Sequence, residues 1–377
     1  MTAADKAIGI GAARRIVLKI GSALLIDDAS GALRRDWLRA FADDVARLRN
    51  DGREVAIVSS GAIAFGRRQL ELSGKALALE EKQAAAAVGQ IHLAHAWQEA
   101  LAAHGLTLAQ ILLSLADTEE RRRHLNARET LAALFEFGAV PLINENDTVA
   151  TEEIRFGDND RLAARVAQMA GADVLVLLSD IDGLYDRDPR LHADARHLPE
   201  IPALTDEIRA MAGKPRPGYS SGGMVTKLEA ARIAVGAGCA MIISDGRAEN
   251  PIRRLEAGER HTRFTPAASP GTARKRWIAG ALGSDARIAV DAGAANALRR
   301  GKSLLPAGVT AVEGNFLRGD AVRIVGPDGA EIAIGLIAYD AEAARRIAGR
   351  QSREIEALLG YKGRDVLVHR DDMVERE

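Results

Sequence analysis

Cysteine is nearly absent: Cys239, in "GCAMIIS", is the only one among 377 residues. A lone thiol between apolar neighbours rules out a disulfide framework and fits a reducing compartment. An excess of charge of one sign is missing too. Lys plus Arg number 51 and Asp plus Glu 52, so bulk electrostatics favour neither nucleic acid nor a membrane surface. No apolar run nears the roughly 20 residues of a membrane span. The opening "MTAADKAIGIGAARR" lacks the continuous apolar segment of a signal peptide. The expectation is a cytoplasmic protein.

Several chemical signatures are missing as well. The phosphate-loop pattern GxxxxGK[ST] does not occur. The early "GIGAAR" has no strand before it and no third glycine, so it fails as a dinucleotide fingerprint. The histidines show no metal-ligand spacing, and no Ser–His or Asp–His pair suggests nucleophilic or general-base chemistry.

What is present alternates. Short apolar runs at 15–20, 54–60, 108–114, 139–144, 173–179 and 240–244 read as strands, several of them covered on both faces. Amphipathic stretches such as "DWLRAFADDVARLRN" and "KLEAARIAVGAG" lie between them. This α/β pattern predicts a mostly parallel sheet sandwiched by helices. The period is lost near residue 262, and turn signals at "VEGN", "LRGD" and "GPDG" then punctuate a small β-rich domain. The expected boundaries are 12–262 for the α/β domain, 263–283 for a linker, 284–363 for the β-rich domain and 364–377 for a tail.

Candidate chemistry gathers at the carboxyl ends of the strands, where open α/β sheets place ligands. Lys19 ends the first strand before a Gly21–Ser22 turn; it can neutralise a phosphate or snorkel at a sheet edge. Ser60 and Gly61 follow the second strand and open a helix, as an anion site or as a plain N-cap. In "SSGGMVTKLEAARIA" a glycine-rich stretch feeds a helix starting near Met224, with Lys227 in its first turn. A lysine there opposes the helix dipole, which favours a phosphate cradle over a bland reading. Ser179 and Asp180 close the fifth strand, and Asp180 could order the two lysines, lean on Mg2+ or cap a turn. The "EERRRHLNARET" run alternates in sign and reads as a solvated helix face or an oligomer contact. Finally, "PLINENDTVATEEIRFGDND" places Glu145, Asp147, Glu152, Glu153, Asp158 and Asp160 beside one base, Arg155. Such a cluster suits an ammonium or a hydrated Mg2+. Beside a positive phosphate site, it suits a substrate bearing both a carboxylate and a free ammonium: an amino acid.

In order along the chain, "VLKIGSALL", "IVSSGAIAFGRR", "KQAAAAVGQ", "HLNARETL", "PLINENDTVATEEIRFGDND", "SSGGMVTKL" and "GNFLRGD" resemble the glutamate 5-kinase family. That family belongs to the amino acid kinase superfamily and carries a C-terminal PUA domain. The resemblance spans nearly the whole chain. It implies ATP-dependent phosphorylation of the γ-carboxylate of L-glutamate, the first step towards proline, with proline as feedback inhibitor and a homo-oligomer as the working form. It implies ATP contacts at Lys19, Ser179, Asp180 and the segment Ser221, Gly222, Gly223, Met224, Val225, Thr226 and Lys227. Glutamate contacts fall to Ser60, Asp147 and Asn159. The family usually has Thr where this chain has Ser179 and Ser221, and both changes keep a hydroxyl. On this reading Lys19 and Lys227 act on the transferring phosphate, Asp180 orients them, and Mg2+ is held mainly by the ATP phosphates. The runner-up enzyme is acetylglutamate kinase, whose substrate lacks the ammonium that the acidic loop suits; a UMP kinase would want bases there. RNA binding through the PUA domain is a minor alternative, because residues from Ser284 onward carry 14 Lys/Arg against 15 Asp/Glu.

Overall fold

The computed structural model describes residues 9–27, 31–72, 76–149, 159–212, 223–279 and 286–375. The chain divides between Pro270 and Gly271 into two compact units. The first begins with β1 (Arg15–Ile20), α1 (Ser22–Leu25), α2 (Arg35–Asn50), β2 (Glu54–Ser59), α3 (Ala62–Gln69) and α4 (Leu79–Ala102). Next come β3 (Leu108–Leu113), α5 (Leu115–Glu119), α6 (Arg121–Glu136), β4 (Val140–Glu145), α7 (Asn159–Ala170) and β5 (Val174–Ser179). Short strands β6 (Leu184–Tyr185), β7 (His197–Leu198) and β8 (Glu200–Ile201) lead to α8 (Asp206–Ala210) and α9 (Met224–Gly236). The unit closes with β9 (Ala240–Asp245), α10 (Pro251–Glu256) and β10 (His261–Phe264).

Eight strands form one sheet in the order β3-β4-β2-β1-β5-β9-β10-β8. β1 is central and runs parallel to β2 on one side and β5 on the other. Its residues alternate between the faces, as the pleat requires. Ile16, Leu18 and Ile20 join a core with Trp37, Phe41 and Trp97, while Val17 joins the opposite core with residues of α7 and α9. The expected helix–sheet–helix layering is what forms. From β1 the chain turns to one side, to β2, β3 and β4, and then crosses over to β5 on the other. The crevice beyond the ends of β1 and β5 is therefore the switch point where such sheets bind ligands.

One helix contact fixes how closely α4 packs on α3. Gly66 of α3 and Gly89 of α4 face each other so closely that an added Cβ would lie 1.7 Å from Ala85 O or 1.8 Å from Ala62 O. No side chain fits between these backbones, so α4 is drawn in beside the start of α3.

Two boundary expectations are corrected. Residues 263–283 are not a plain linker: Arg263 and Phe264 belong to β10, which pairs antiparallel with β9. Helix α11 (Pro270–Ala279) then occupies most of the remainder. The turn-poor pattern of a four-residue strand next to prolines carried too little period to be recognised. Nor is 364–377 a tail, since it contains β15 (Val368–Glu375).

The second unit, after α11, runs β11 (Arg287–Val290), α12 (Ala292–Arg299), β12 (Val309–Glu313), β13 (Ala321–Val325), β14 (Glu331–Ile337), α13 (Ala341–Ile347), α14 (Ile355–Leu359) and β15. Its sheet has the order β12-β11-β13-β14-β15. Val322, Ile324, Ile347, Leu367 and Val368 are among its fully buried residues. β15 therefore completes this core. Its charged "HRDD" hid a strand whose inward residues are Val368 and Met373. Among the described residues, no helix is long and apolar enough to cross a membrane.

Candidate active site

Two clusters meet at the first two residues of α7. The first is ionic. Lys19 sits on the same face of β1 as Val17 and is 7% exposed; Lys227, in the first turn of α9, is 3% exposed. Both reach Asp160, which is 1% exposed. Lys19 Nζ lies 2.6 Å from Asp160 Oδ1 and Lys227 Nζ lies 3.0 Å from Oδ2. The Thr226 hydroxyl is 3.2 Å from Oδ2 and 2.8 Å from the Gly223 carbonyl, and its single proton serves one of them at a time. Burial alone would raise the Asp160 carboxyl, but the ammonium groups of Lys19 and Lys227 outweigh it and hold the acid well below the usual carboxylate range. Two cations share one anion in a dry crevice. The surplus positive charge, beside the first-turn amides of α9, is suited to phosphoryl oxygens.

This arrangement corrects the role expected of Asp180. Asp180 is exposed at the end of β5 and accepts from the Ser179 hydroxyl at 3.1 Å. The carboxylate that bridges the two lysines is Asp160, 141 residues from Lys19 and 67 from Lys227 in sequence. No local pattern links three residues so far apart. The only signal was an acid at a helix start within an already acidic run.

The second cluster is neutral. At the end of β2 the Trp97 indole donates to Ser59 Oγ at 3.1 Å, and Gly61, at φ 110°, turns the chain into α3. A positive φ of this size strains any residue with a Cβ. Ser60, between them, meets Asn159: Nδ2 of Asn159 lies 2.7 Å from Ser60 Oγ, 3.1 Å from Asn144 Oδ1 and 3.4 Å from the Ser59 carbonyl. Asn144, on β4, donates in turn to Gln90 Oε1 on α4 at 2.7 Å. The carbonyl oxygen of Asn159 is buried and accepts no hydrogen bond among the described residues. Asp147 opens a 3-10 turn (Asp147–Val149) shortly after β4. Its half-buried carboxyl has no countering cation among the described residues, and burial pushes it up to about 6.

The structure thus brings Lys19 to Lys227 and Ser60 to Asn159, and places Thr226 at Asp160. Gly223 caps α9, and Met224 and Val225 form its first turn with Thr226 and Lys227. Ser221 and Gly222 lie outside the described residues, as do Glu152, Glu153, Arg155 and Asp158. Gln90 and Asn144 lie within "KQAAAAVGQ" and "PLINENDTVATEEIRFGDND", but neither they nor Trp97 stood out as site residues, because a neutral polar side chain on a helix or at a strand end is common.

The chain's residues 14–245 match the model of the amino acid kinase family, and residues 286–359 match the PUA domain. The glutamate 5-kinase of Paramagnetospirillum magneticum is 59% identical over 365 residues, covering 97% of this chain and 98% of its own. Glutamate 5-kinase of Allorhizobium ampelinum is 60% identical, covering 97% and 93%. Among solved structures, carbamate kinase from Giardia lamblia, 16% identical, covers 68% of this chain and 99% of its own with a TM-score of 0.49.

Proposed function

The chain belongs to the amino acid kinase family, among the glutamate 5-kinases, and from that premise we propose that it transfers the γ-phosphoryl group of ATP to the γ-carboxylate of L-glutamate. The product, L-glutamyl 5-phosphate, opens proline biosynthesis. The observation that carries the reading is the meeting, at consecutive residues, of an ionic cluster suited to phosphate and a polar cluster suited to an amino acid. Asp160 belongs to the first and Asn159 to the second.

The chemistry asks little of acids or bases. A γ-carboxylate has a reference pKa near 4.3, so the nucleophile is already an anion at neutral pH. Alignment and charge neutralisation of an in-line transfer remain. Lys19 and Lys227 stabilise the phosphoryl oxygens as charge builds in the transition state, and Asp160 spaces the two ammonium groups. Ser179, Asp180 and the segment Ser221 to Thr226 hold the nucleotide. Ser60, Asp147 and Asn159 hold glutamate; the raised carboxyl of Asp147 supports this, since a desolvated acid gains most from an arriving ammonium. Mg2+ bound with ATP would supply further charge neutralisation at its phosphates. Both oxygens of Asp160 are already engaged by lysines, which fits a metal carried by the nucleotide rather than by this carboxylate. Feedback restraint by proline, a homo-oligomeric working form and a cytoplasmic setting complete the proposal.

The test is ADP release from ATP and Mg2+ with glutamate, N-acetylglutamate, aspartate or UMP offered singly. Glutamate should exceed each of the others by at least about tenfold in kcat/KM. Equal or greater release with any other acceptor would overturn the assignment.

A further inference from the structure

We propose that Gln90 is a positioning residue that tunes selection for a free α-ammonium, acting through Asn144 on Asn159. The inference rests on the glutamate reading above. It begins with an amide whose orientation is decided by its surroundings. One end of the Asn159 amide faces the Ser59 backbone carbonyl, 3.4 Å away, and a carbonyl can only accept. That end must be the NH2 group, which also lies 2.7 Å from Ser60 Oγ and 3.1 Å from Asn144. The Asn144 atom facing it must then be the carbonyl oxygen, so the Asn144 NH2 points to Gln90. Gln90 answers with Oε1 at 2.7 Å. The three amides constrain one another in turn, so the acceptor that Gln90 on α4 offers Asn144 on β4 favours the same orientation of Asn159 at the start of α7 that the Ser59 carbonyl does.

The consequence lies at the far end. With the two N–H donors of its NH2 shared among three acceptors, Asn159 keeps its carbonyl oxygen as a buried acceptor without a donor among the described residues. An unmet buried acceptor costs free energy until a donor arrives. An α-ammonium brings three N–H donors and a charge, whereas an N-acylated amine brings one neutral N–H and added bulk. A correctly turned Asn159 is therefore an acceptor for the ammonium, complementary to a carboxylate such as Asp147. Asn144 is 2% exposed and touches Gln90 from inside, so Gln90 is the outermost member of the relay and can be changed with the least disturbance of the core.

The full-length chain carries the test. Gln90→Met keeps length and removes the acceptor, while Gln90→Glu keeps an acceptor for Asn144. Two quantities are read: KM for glutamate, and Ki for glutarate, the same diacid without the amine. In Gln90→Met the glutamate KM should rise about fivefold to tenfold, as for one weakened charge-assisted hydrogen bond, with kcat and ATP KM within about twofold. Glutarate Ki should stay within about twofold, and Gln90→Glu should recover most of the glutamate KM. An unchanged glutamate KM in Gln90→Met overturns the proposal. So does a parallel rise in glutarate Ki, which marks general loosening of the site. Should Gln90→Met fail to fold, Gln90→Lys, a polar replacement at this half-buried position that offers only donors to Asn144, carries the same expectation. A wild-type chain that releases no ADP with glutamate would instead sink the proposed function, before any variant is compared.

Discussion

Asn159 and Asp160 are neighbours in sequence and occupy opposite electrostatic worlds. Asp160 is an ion held by two ions; Asn159 is a dipole held by dipoles. The difference follows from what each side must tolerate. On the phosphate side, charge moves during the reaction, and fixed charges in a dry crevice act strongly on it. On the substrate side the charges arrive with the ligand, and a second fixed ion would have to be desolvated in its absence. Neutral amides avoid most of that cost and still define direction. The exception is Asp147, whose carboxyl bears the strain of burial as a pKa of about 6.

That contrast can be broken hardest at Asp160. Asp160→Asn leaves two buried ammonium groups without their shared anion, a loss of roughly 3–5 kcal/mol in stability. Turnover should fall by about a thousandfold, since both lysines lose their spacing. Denaturant melts and single-turnover rates measure the two effects. The wild-type contribution has a definite sign with pH. The Asp160 carboxyl is depressed, so its contribution is complete above about 3.9, the ordinary carboxylate value, and fades as pH falls towards the depressed one. The variant should lack this acid-side loss; an equal loss in both would remove the triad from the stability argument.

Lys227→Ala takes one cation and leaves the other. Losing such a clamp costs on the order of 3 kcal/mol of transition-state stabilisation, about a hundredfold in turnover. Glutamate KM should scarcely move, because the neutral cluster is intact. An unchanged turnover number would take Lys227 out of the phosphate site.

Asp147→Asn sharpens the comparison from the other side. Removing the charge that meets the ammonium should raise glutamate KM by more than about tenfold while ATP KM changes little. If extra Mg2+ restores the variant, Asp147 serves a metal and not the amine. The pH profile separates the same possibilities. Because Asp147 is protonated below about 6 in the free enzyme, kcat/KM for glutamate should decline as pH drops from 7 to 5. The variant should lose that limb. Stability runs oppositely: a raised carboxyl disfavours the fold as pH rises from its unfolded value through about 6, so the ligand-free variant should be somewhat more stable at pH 7.

The smallest effect is expected from removing the second unit. A fragment ending at Pro270 keeps both faces of the eight-stranded sheet covered and every assigned side chain. It should fold and turn over within about tenfold of the full chain. A fragment that is folded by circular dichroism and catalytically dead would show that the second unit contributes to the site.

The positions of β1 to β5 and β9 were determined by sequence alone, because apolar runs such as "IVLKI" and "VLVLL" can be satisfied only by burial on both faces. Lys19 and Lys227 were legible for a related reason: each is a charge in an unfavourable local place, one ending an apolar strand and one opposing a helix dipole. A cost that local structure cannot explain points to a partner elsewhere. Sequence could not say which partner. Six acids stood in one segment, and an acid at the end of β5 looked as apt; only the packing of α7 against α9 and β1 selected Asp160 over Asp180. The same limit hid β15, whose charged outer face masks its inward residues, and the run from Gln90 to Ser60. Hydrogen bonds between neutral side chains leave no trace in composition or period, since each amide is unremarkable until the fold turns its ends towards one another. Their energies depend on distances of tenths of an ångström, and those distances exist only after the glycines of α3 and α4 have let two backbones touch.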